Sequence, residues 1–572
     1  FYALVEHMYS LNVFKVRRQV DFLLLSAIFV TFIVAMNFVT YHLGGAGLTL
    51  SFNNTTWILF SFILLLGVLK VVVFNRIVVS KIFIAYLTCL GVLLFPIVYT
   101  SHDIRIDGFM VIAAIFASLA LLFIIEQNQN RIFKHRVLCI LYISTLIQTL
   151  WGLIQYYFIF EPSLLFPRAD IGSPYGAFSQ KNVFATYLAF GSLLAIYFLF
   201  HARNKTKLLV ISTFLVVTAN AHLSMLAEAK TGRVVPIIAV VSYLIYCAYR
   251  YGYRRLTLSL LVVCIIASFT PKQWFDVRPG QKIEGYSAIT SLGLRPIMYK
   301  LGVKMVLDQP VNGYGIGNVA YEFLKEKSEY QQSLGIEPVG LGMTEHIHNE
   351  PLQWALQFGV LSGLAFVFIF VVWCVGLFKG WLDPAILLLA LPFVGHALLE
   401  LPFYHSVPHL LAFVTVLGLA TNQSKRIIKF PSILGAIILP LISFISYKIV
   451  GFMLLSLSSL NVLVEYRMGD ELDKSLLYSV EPTSTFKPFF EHEKHEWRFK
   501  EALQTGTISQ KETFDFIGFL ERYRIEAPQS ILYIQLAELY NIAGQNAKAE
   551  SIMQEARFLF PEDEKIKAYF SK

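Results

Sequence analysis

The chain has 572 residues, of which 56% are hydrophobic and only 15% are charged, and its formal net charge is +9. So few charges cannot cover the surface of a soluble globular protein, which excludes that class. Much of the positive charge lies in short clusters between apolar runs, as the positive-inside rule predicts, so we expect no nucleic-acid partner. The composition indicates a polytopic protein of the lipid bilayer with some soluble mass.

About thirteen apolar segments have the length of roughly 20 residues that crosses a bilayer, which predicts an all-α membrane protein. They cover 20–42, 56–75, 80–100, 108–126, 136–160, 183–201, 207–228, 234–249, 255–270, 351–378, 384–400, 408–422 and 431–459. Nine segments fall within residues 1–270 and four within 351–460. Basic clusters lie on alternate loops, which predicts a cytoplasmic N-terminus. The loops expected outside are 43–55, 101–107, 161–182, 229–233, 271–350 and 401–407.

The stretch "RADIGSPYGAFSQKNVFATYLAF" (168–190) is an outer loop that leads into a predicted membrane helix. It carries Arg168, Gln180 and Asn182. The two amide side chains can donate hydrogen bonds to oxyanions or sugar hydroxyls. The alternative is that these residues only cap the loop.

In "AEAKTGRVVPIIAV" (227–240), Lys230 and Arg233 lie outside, against the positive-inside trend. An anionic ligand would explain two cations on this side of the membrane. The alternative is that both side chains reach along the membrane to its polar interface.

The outer segment 271–350 is too long for a simple connection, and such loops are usually functional. Within "SLGLRPIMYKLGVKMVLDQPVNGYGIGN" (291–318), Arg295 and Lys304 fall on a predicted amphipathic helix. The glycines of 312–318 are not followed by Gly-Lys-Ser/Thr, so they predict a tight surface turn rather than a phosphate-binding loop.

Two histidines stand in "EHIHNE" (345–350), at the edge of an apolar run. Their spacing is not the i, i+4 pair of a helical zinc site, so we predict no metal and no cofactor. A helix starting near His348 and Asn349, with Pro351 in its first turn, is the favoured interpretation. His348 then faces the basic loops as a candidate general base. Helix capping is the alternative.

A later pair, His396 and Glu400, is spaced i, i+4 and shares one helix face near the outer end of its segment. It either pairs structurally or contacts the acceptor or the sugar.

From 461 to 572 charges return and long apolar runs vanish, which predicts a soluble helical domain. Ala537, Tyr540, Ala549 and Ala556 follow tetratricopeptide spacing in a predicted hairpin at about 530–563. One such repeat cannot bury its own face, so we expect it to pack on helices such as 511–524 or on a partner. An ordinary hairpin and a protein-docking repeat both remain open.

Cations, amides and a histidine on one side of the membrane suit an anionic lipid carrier, because Arg binds phosphate oxygens bidentately and a histidine can accept a hydroxyl proton. The chain also resembles the bacterial O-antigen ligase/polymerase superfamily, and most closely its PglL-type protein O-oligosaccharyltransferases. The matching pieces, in family order, are "GAFSQKNVFATYL", "KTGRVVPII", "LRPIMYKLGVKMVLDQPVNGYGIGN", "HNEPLQWALQFGVLSG" and "GHALLELPFYHSVPHLL".

The resemblance implies a GT-C-like glycosyltransferase of the bacterial inner membrane, with a large periplasmic loop and a periplasmic C-terminal domain. Such an enzyme moves an oligosaccharide from undecaprenyl diphosphate to Ser or Thr of a periplasmic protein, often a type IV pilin. The family's His-Asn motif falls on His348 and Asn349, and its diphosphate-binding arginines fall on Arg233 and Arg295. Gln180, Asn182, His396 and Glu400 match its positioning elements. The family's usual Ser-Arg reads Gly232-Arg233 here.

Three alternatives remain at this point. An O-antigen ligase or polymerase shares the chemistry but transfers to a glycan. A lipid or polysaccharide transporter would move its substrate without breaking a bond, and a scaffold would tolerate loss of the candidate residues. The helical C-terminal domain favours a protein acceptor, because helical repeats commonly bind peptide segments.

Overall fold

The computed structural model describes residues 2–42, 44–99, 106–128, 130–159, 161, 163, 166, 172–227, 230–269, 295–334, 346–422, 426–469, 473–507 and 509–571. The helices are α1 Tyr2–Ile33, α2 Ser51–Phe74, α3 Lys81–Leu94, α4 Ile106–Glu126, α5 Arg131–Phe158, α6 Lys181–His201, α7 Lys207–Leu226, α8 Lys230–Tyr251, α9 Arg254–Phe269, α10 Arg295–Asp308, α11 Val319–Leu334, α12 Glu350–Phe358, α13 Val360–Phe378, α14 Pro384–Leu387, α15 Leu391–Ala397, α16 Pro402–His405, α17 Val407–Ala420, α18 Ser432–Met468, α19 Lys487–Thr505, α20 Gln510–Glu526, α21 Ser530–Ile542, α22 Asn546–Leu559 and α23 Glu564–Phe570. The strands are β1 Arg76–Val79 and β2 Arg426–Lys429.

The prediction of an all-α polytopic membrane protein is confirmed. Among the described residues, ten helices are long and apolar enough to cross a membrane. The remaining predicted spans are shorter helices: α9 has 16 residues, and the apolar stretches Pro384–Ala397 and Val407–Ala420 replace two full-length spans. The predicted span 384–400 is divided into short helices, with Pro384 in the first turn of α14 and Pro392 in the first turn of α15. Hydropathy alone therefore overstated the length of the helix in this span.

The predicted span 351–378 is two helices rather than one. Gly359 separates α12 from α13 with a φ of +82°, a conformation that side chains rarely adopt. A Cβ at Gly359 would lie 2.3 Å from the carbonyl oxygen of Val311. The next amide, that of Val360, donates to the carbonyl oxygen of Pro310 at 2.8 Å. The chain therefore breaks where it meets another backbone segment.

A two-stranded antiparallel ribbon was not predicted. β1 and β2 pair with Arg76 opposite Lys429 and Val79 opposite Arg426. Both strands follow membrane helices in loops expected to be cytoplasmic, so the ribbon joins two loops that are far apart in sequence.

The chain divides into two compact units. The first comprises Phe1–Thr88, Ala114–Thr290 and Ile369–Leu457. Its centre is α6, with 89% of its most apolar window buried, whereas only 11% of the corresponding window of α18 is buried. α6 packs against α5, α7, α8 and α15. Since α6 is enclosed by other helices, its N-terminal residues are held firmly among them.

The second unit comprises Cys89–Ala113, Ser291–Phe368 and Ser458–Lys572. One apolar cluster joins α10, α11 and α12 through Met298, Leu301, Phe323, Ile347 and Leu356. A second cluster joins α20, α21, α22 and α23, and it also includes Leu324 of α11. α11 therefore contributes side chains to both clusters.

The C-terminal helices form antiparallel hairpins. α21 and α22 turn at Gly544, which has a φ of +71°, and they bury Ala537, Ala549 and Ala556 between them. α20 packs against α21, in agreement with the expectation for 511–524. Docking of a partner protein on these helices stays a prediction.

Candidate active site

In the first unit, Asn182 lies in the first turn of α6 and contacts two other segments. Its Oδ1 accepts a hydrogen bond from the backbone N–H of Gly232 at 3.0 Å. Its Nδ2 donates to Oε1 of Glu400 at 3.3 Å. The structure thus brings Asn182 and Glu400 together beside the residue that precedes Arg233.

Arg233 lies in the first turns of α8 and is half-buried. Its Nη2 donates to the carbonyl oxygen of Met225 in the last turn of α7 at 3.2 Å. Its Nε is buried and has no hydrogen-bond partner among the described residues. A guanidinium with unused donors can still bind oxyanions.

Arg233 also forms part of the wall of a narrow, open cleft between α6, α7, α8 and α9. The cleft is lined mainly by small and aliphatic side chains, among them Ala189, Ala221, Ile237 and Val240. A cation thus adjoins a largely apolar surface, an arrangement that suits an amphiphilic anion.

His396 is fully buried, and its Nδ1 lies 2.7 Å from the hydroxyl of Thr186. That hydroxyl donates its single proton to the carbonyl oxygen of Asn182 at 3.0 Å. The imidazole must therefore be the donor in its contact with Thr186, which places a proton on Nδ1. His396 thus supports α6 directly below Asn182.

Sequence reasoning missed a second histidine in this unit. The Nδ1 of His42 accepts from the N–H of Gly44 at 3.1 Å, so its Nε2–H donates to the hydroxyl of Ser179 at 2.8 Å. Ser179 has a φ of +56° immediately before Gln180, the half-buried N-cap residue of α6. His42 is the last residue of the first predicted membrane segment and has no motif around it, so no local signal marked it.

In the second unit, His348 has a φ of +53°, a sparsely populated conformation for a residue with a side chain. Its carbonyl oxygen accepts a hydrogen bond from the hydroxyl of Tyr299 at 3.1 Å. On either side of it, Ile347 is fully buried and Asn349 is the N-cap of α12. Backbone strain of this kind clusters at functional sites when the surroundings fix it.

The predicted helix start at "HNEP" is confirmed. Oδ1 of Asn349 accepts from the N–H of Leu352 at 2.9 Å, and Pro351 lies in the first turn. The Oδ1 atom of Asn349 is therefore engaged in capping α12. His346, by contrast, is exposed.

Arg295 and Tyr299 are one turn apart on α10 and share a helix face, so Arg295 lies on the side of α10 that faces His348. Lys304 follows Arg295 by nine residues and lies on about the opposite face. Its ammonium is 2.7 Å from Glu326 Oε1 and is 54% exposed. This ion pair raises the pKa of Lys304. The structure therefore does not bring Lys304 close to His348.

The glycine-rich segment 312–318 is a turn, but it is partly buried against α12 rather than on the surface. The N–H of Tyr314 donates to Leu356 O at 2.7 Å, and that of Gly315 donates to Gln357 O at 2.9 Å. These bonds satisfy carbonyls at the C-terminal end of α12, which would otherwise lack partners. The turn therefore fixes one end of α12 while Asn349 caps the other.

Two predicted site residues cannot be placed in this way. Arg168 lies outside the described residues, and of Lys230 only the backbone, as the first residue of α8, is described. Within the described ranges, no cluster of three or more His, Cys, Asp or Glu side chains is arranged to hold a metal ion.

Two family models match the chain. The first is described as O-antigen ligase and matches residues 223–368, and the second is described as virulence factor membrane-bound polymerase, C-terminal, and matches residues 385–571. The chain belongs to the O-antigen ligase/polymerase superfamily. A search of the curated proteins found no match.

The O-antigen ligase match includes Arg233, Arg295, His348 and Asn349. Membership in the O-antigen ligase/polymerase superfamily indicates a multi-pass membrane protein that transfers glycosyl groups, with lipid and glycan as partners.

Proposed function

We propose that the protein transfers a preassembled oligosaccharide from undecaprenyl diphosphate to Ser or Thr hydroxyls of periplasmic proteins, such as a type IV pilin. The observation that carries the proposal is the strained His348, fixed by Tyr299 and by the cap of α12 within the segment that matches O-antigen ligase. A histidine held in this way is preorganised to act on one bound hydroxyl.

In the proposed reaction, His348 accepts the proton of the acceptor hydroxyl. The freed electron pair on that oxygen attacks the anomeric carbon of the first sugar. The bond between this carbon and the diphosphate oxygen breaks, and its electron pair leaves with undecaprenyl diphosphate. A direct displacement of this kind inverts the anomeric centre. The developing charge is on the diphosphate, where fixed cations stabilise the transition state most effectively.

Arg233 and Arg295 are the proposed diphosphate ligands, and Lys230 is a further candidate on the same turn as Arg233. The guanidinium groups of Arg233 and Arg295 stay charged at any working pH and pair bidentately with phosphate oxygens. The proposal uses no metal ion. Lys304 is the weakest of the predicted ligands, because Glu326 and Asp308 already pair with it.

We place the enzyme in the bacterial inner membrane, with its N-terminus in the cytoplasm and the His348 segment and C-terminal domain in the periplasm. The alternation of basic loops supports this orientation. The helical hairpins of α19 to α22 support a protein acceptor, since helical arrays of this kind commonly bind peptide segments.

A second candidate is transfer to a glycan, as an O-antigen ligase or polymerase. The descriptions of the two matching family models favour it, because one names a ligase and the other a polymerase. The two candidates share the donor chemistry and differ in the acceptor.

The test is to co-express the protein with a lipid-linked glycan, a candidate pilin and a lipopolysaccharide core. Intact mass should show the glycan on the pilin, and linkage analysis should show inversion. His348→Ala and Arg233→Lys should each abolish transfer at normal expression, while Arg255→Lys, a matched change at an exposed arginine, should not. Glycan found only on the lipopolysaccharide would establish the second candidate. Movement of intact lipid without transfer would establish a transporter.

A further inference from the structure

We infer that Asn182 is a positioning residue that holds Arg233 in place through the backbone of α8, instead of contacting the substrate itself. The inference rests on the proposed function, in which Arg233 binds the donor diphosphate. A side chain of α6 would thus set the position of a cation, Arg233, on a different helix, α8.

The first turn of α8 is weak by itself. Gly232 has the lowest helix propensity apart from proline, at a cost of about 1 kcal/mol relative to alanine. Pro236 lies inside α8 and has no N–H to donate to the carbonyl oxygen of Gly232, four residues earlier. The N–H of Gly232 also falls among the first helical amides, which lack a partner within their own helix. The N–H of Gly232 therefore depends on an acceptor from outside α8, and its carbonyl oxygen lacks the usual i+4 donor.

Asn182 supplies this support. Its Oδ1 accepts from the buried Gly232 amide at 3.0 Å, one residue before Arg233. Its Nδ2 donates to Glu400, which is 7% exposed, so the carboxylate fixes which end of the amide points to α8. An asparagine with both ends engaged in this way is oriented by the protein.

Thr186 and His396 continue the same support along α6. The Thr186 hydroxyl bonds the backbone oxygen of Asn182, and the Nδ1 of His396 donates to that hydroxyl. This network gives a common role to three residues that were predicted to position substrate, Asn182, His396 and Glu400. They position Arg233.

A reversal of donor and acceptor tests the inference. Asn182→Asp alone sets a carboxylate against Glu400 and should weaken binding of undecaprenyl diphosphate at least tenfold. In the double variant Asn182→Asp/Glu400→Gln, the carboxylate introduced on α6 can accept from both the Gly232 N–H and the newly introduced side-chain amide. The double variant should regain affinity to within about threefold of the wild type. Asn204→Asp, the same change in an exposed loop, should have no effect.

A double-mutant cycle gives the second readout. If Asn182 acts through Arg233, Asn182→Ala should weaken donor binding in the wild type but have little further effect on Arg233→Ala. Equal losses in both backgrounds, or a well-folded double variant that fails to regain affinity, would overturn the inference and assign Asn182 to direct substrate contact. A wild-type protein that does not bind undecaprenyl diphosphate would instead overturn the proposed function, since no variant is involved in that result.

Discussion

The hydroxyl of Tyr299 donates a hydrogen bond to the backbone carbonyl oxygen of His348, and this bond holds the candidate base from a different helix. His348 itself has a positive φ, so its backbone needs external support to keep that conformation. Tyr299 lies on α10 one turn from Arg295. A single helix therefore presents a candidate diphosphate ligand and the support of the candidate base.

We predict that Tyr299→Phe lowers the turnover of glycan transfer without changing donor affinity. Losing this hydrogen bond should cost about 1 kcal/mol and loosen the backbone that sets the imidazole position. Single-turnover rates and donor titrations separate the two effects. Tyr330→Phe is the matched control, because it removes a hydroxyl from α11 but keeps the ring that contacts Lys300. Equal rates in both variants would contradict the role of Tyr299.

Replacing His348 by glycine and by alanine should give different folding stability but the same loss of activity. Glycine adopts a φ of +53° without penalty, whereas alanine keeps the strain of about 1 kcal/mol. His348→Gly should therefore melt at a higher temperature than His348→Ala. Added imidazole should restore part of the transfer activity to the glycine variant if a general base is what is missing.

His346→Ala is the control and should retain transfer activity. An inactive His346→Ala variant would leave the choice of base between the two histidines open again.

Asn349 allows capping to be separated from substrate contact. Asn349→Ala removes the N-cap of α12 and should destabilise the second unit by about 1 kcal/mol. Asn349→Asp keeps an acceptor for the Leu352 amide and should keep the stability. Hydrogen exchange of the α12 amides measures the cap, and transfer assays measure function. If Asn349→Asp is stable but inactive, the Asn349 amide group also contacts the substrate.

Glu555 joins α11 to the C-terminal helices and should be costly to remove. Its Oε1 accepts from Tyr321 at 3.0 Å and from Arg524 at 2.6 Å. Burial and the nearby carboxylate raise the pKa of Tyr321 to about 12, so the phenol remains a donor. Because the Arg524 side chain is only 11% exposed, Glu555→Ala should cost about 1–3 kcal/mol.

The control for Glu555 is a salt bridge on the surface of the same domain. Lys500 pairs with Glu496 at 2.6 Å but is 63% exposed, so Lys500→Ala should cost less than about 1 kcal/mol. Chemical unfolding of the full-length protein compares the two variants. A Glu555→Ala variant as stable as Lys500→Ala would show that the Glu555 cluster does not hold α11.

His495 should make the C-terminal domain less stable in mild acid. Burial, with a smaller effect from Arg498, lowers the pKa of His495 below its ordinary value of about 6.5. The unfolded chain then binds the proton more readily, so stability is full above about pH 6.5 and falls as the pH drops toward the folded pKa. Hydrogen exchange of α19 and α20 at several pH values measures this loss. His495→Phe keeps the ring stacked on Phe516 and should flatten the pH dependence, and an unchanged slope would contradict the prediction.

Local signals in the sequence explain which features were predictable. The ten long apolar helices and the cap at Asn349 with Pro351 in the next turn depend on neighbouring residues, and both were predicted correctly. The break at Gly359 depends on carbonyl groups of Pro310 and Val311, which no local pattern reveals.

The sequence predicts a set of candidate site residues, whose roles stay predictions, but it does not predict the contacts that they make. Arg233, His348 and Arg295 stood out because of their charge and position. The contacts of Asn182 with Gly232, of Tyr299 with His348 and of His42 with Ser179 each join residues far apart in sequence. Long-range hydrogen bonds leave no periodic trace in one sequence, so their partners became visible only in the folded chain.

α11 imposes a condition on any exchange of C-terminal domains between relatives. One face of the helix belongs to the apolar cluster of α10 and α12, and another belongs to that of α20 to α23. A chimaera that replaced only 458–572 would set a foreign domain against the native Tyr321 and Leu324. A workable graft must carry 319–334 with the C-terminal segment, so the structural unit to be exchanged is discontinuous in the sequence.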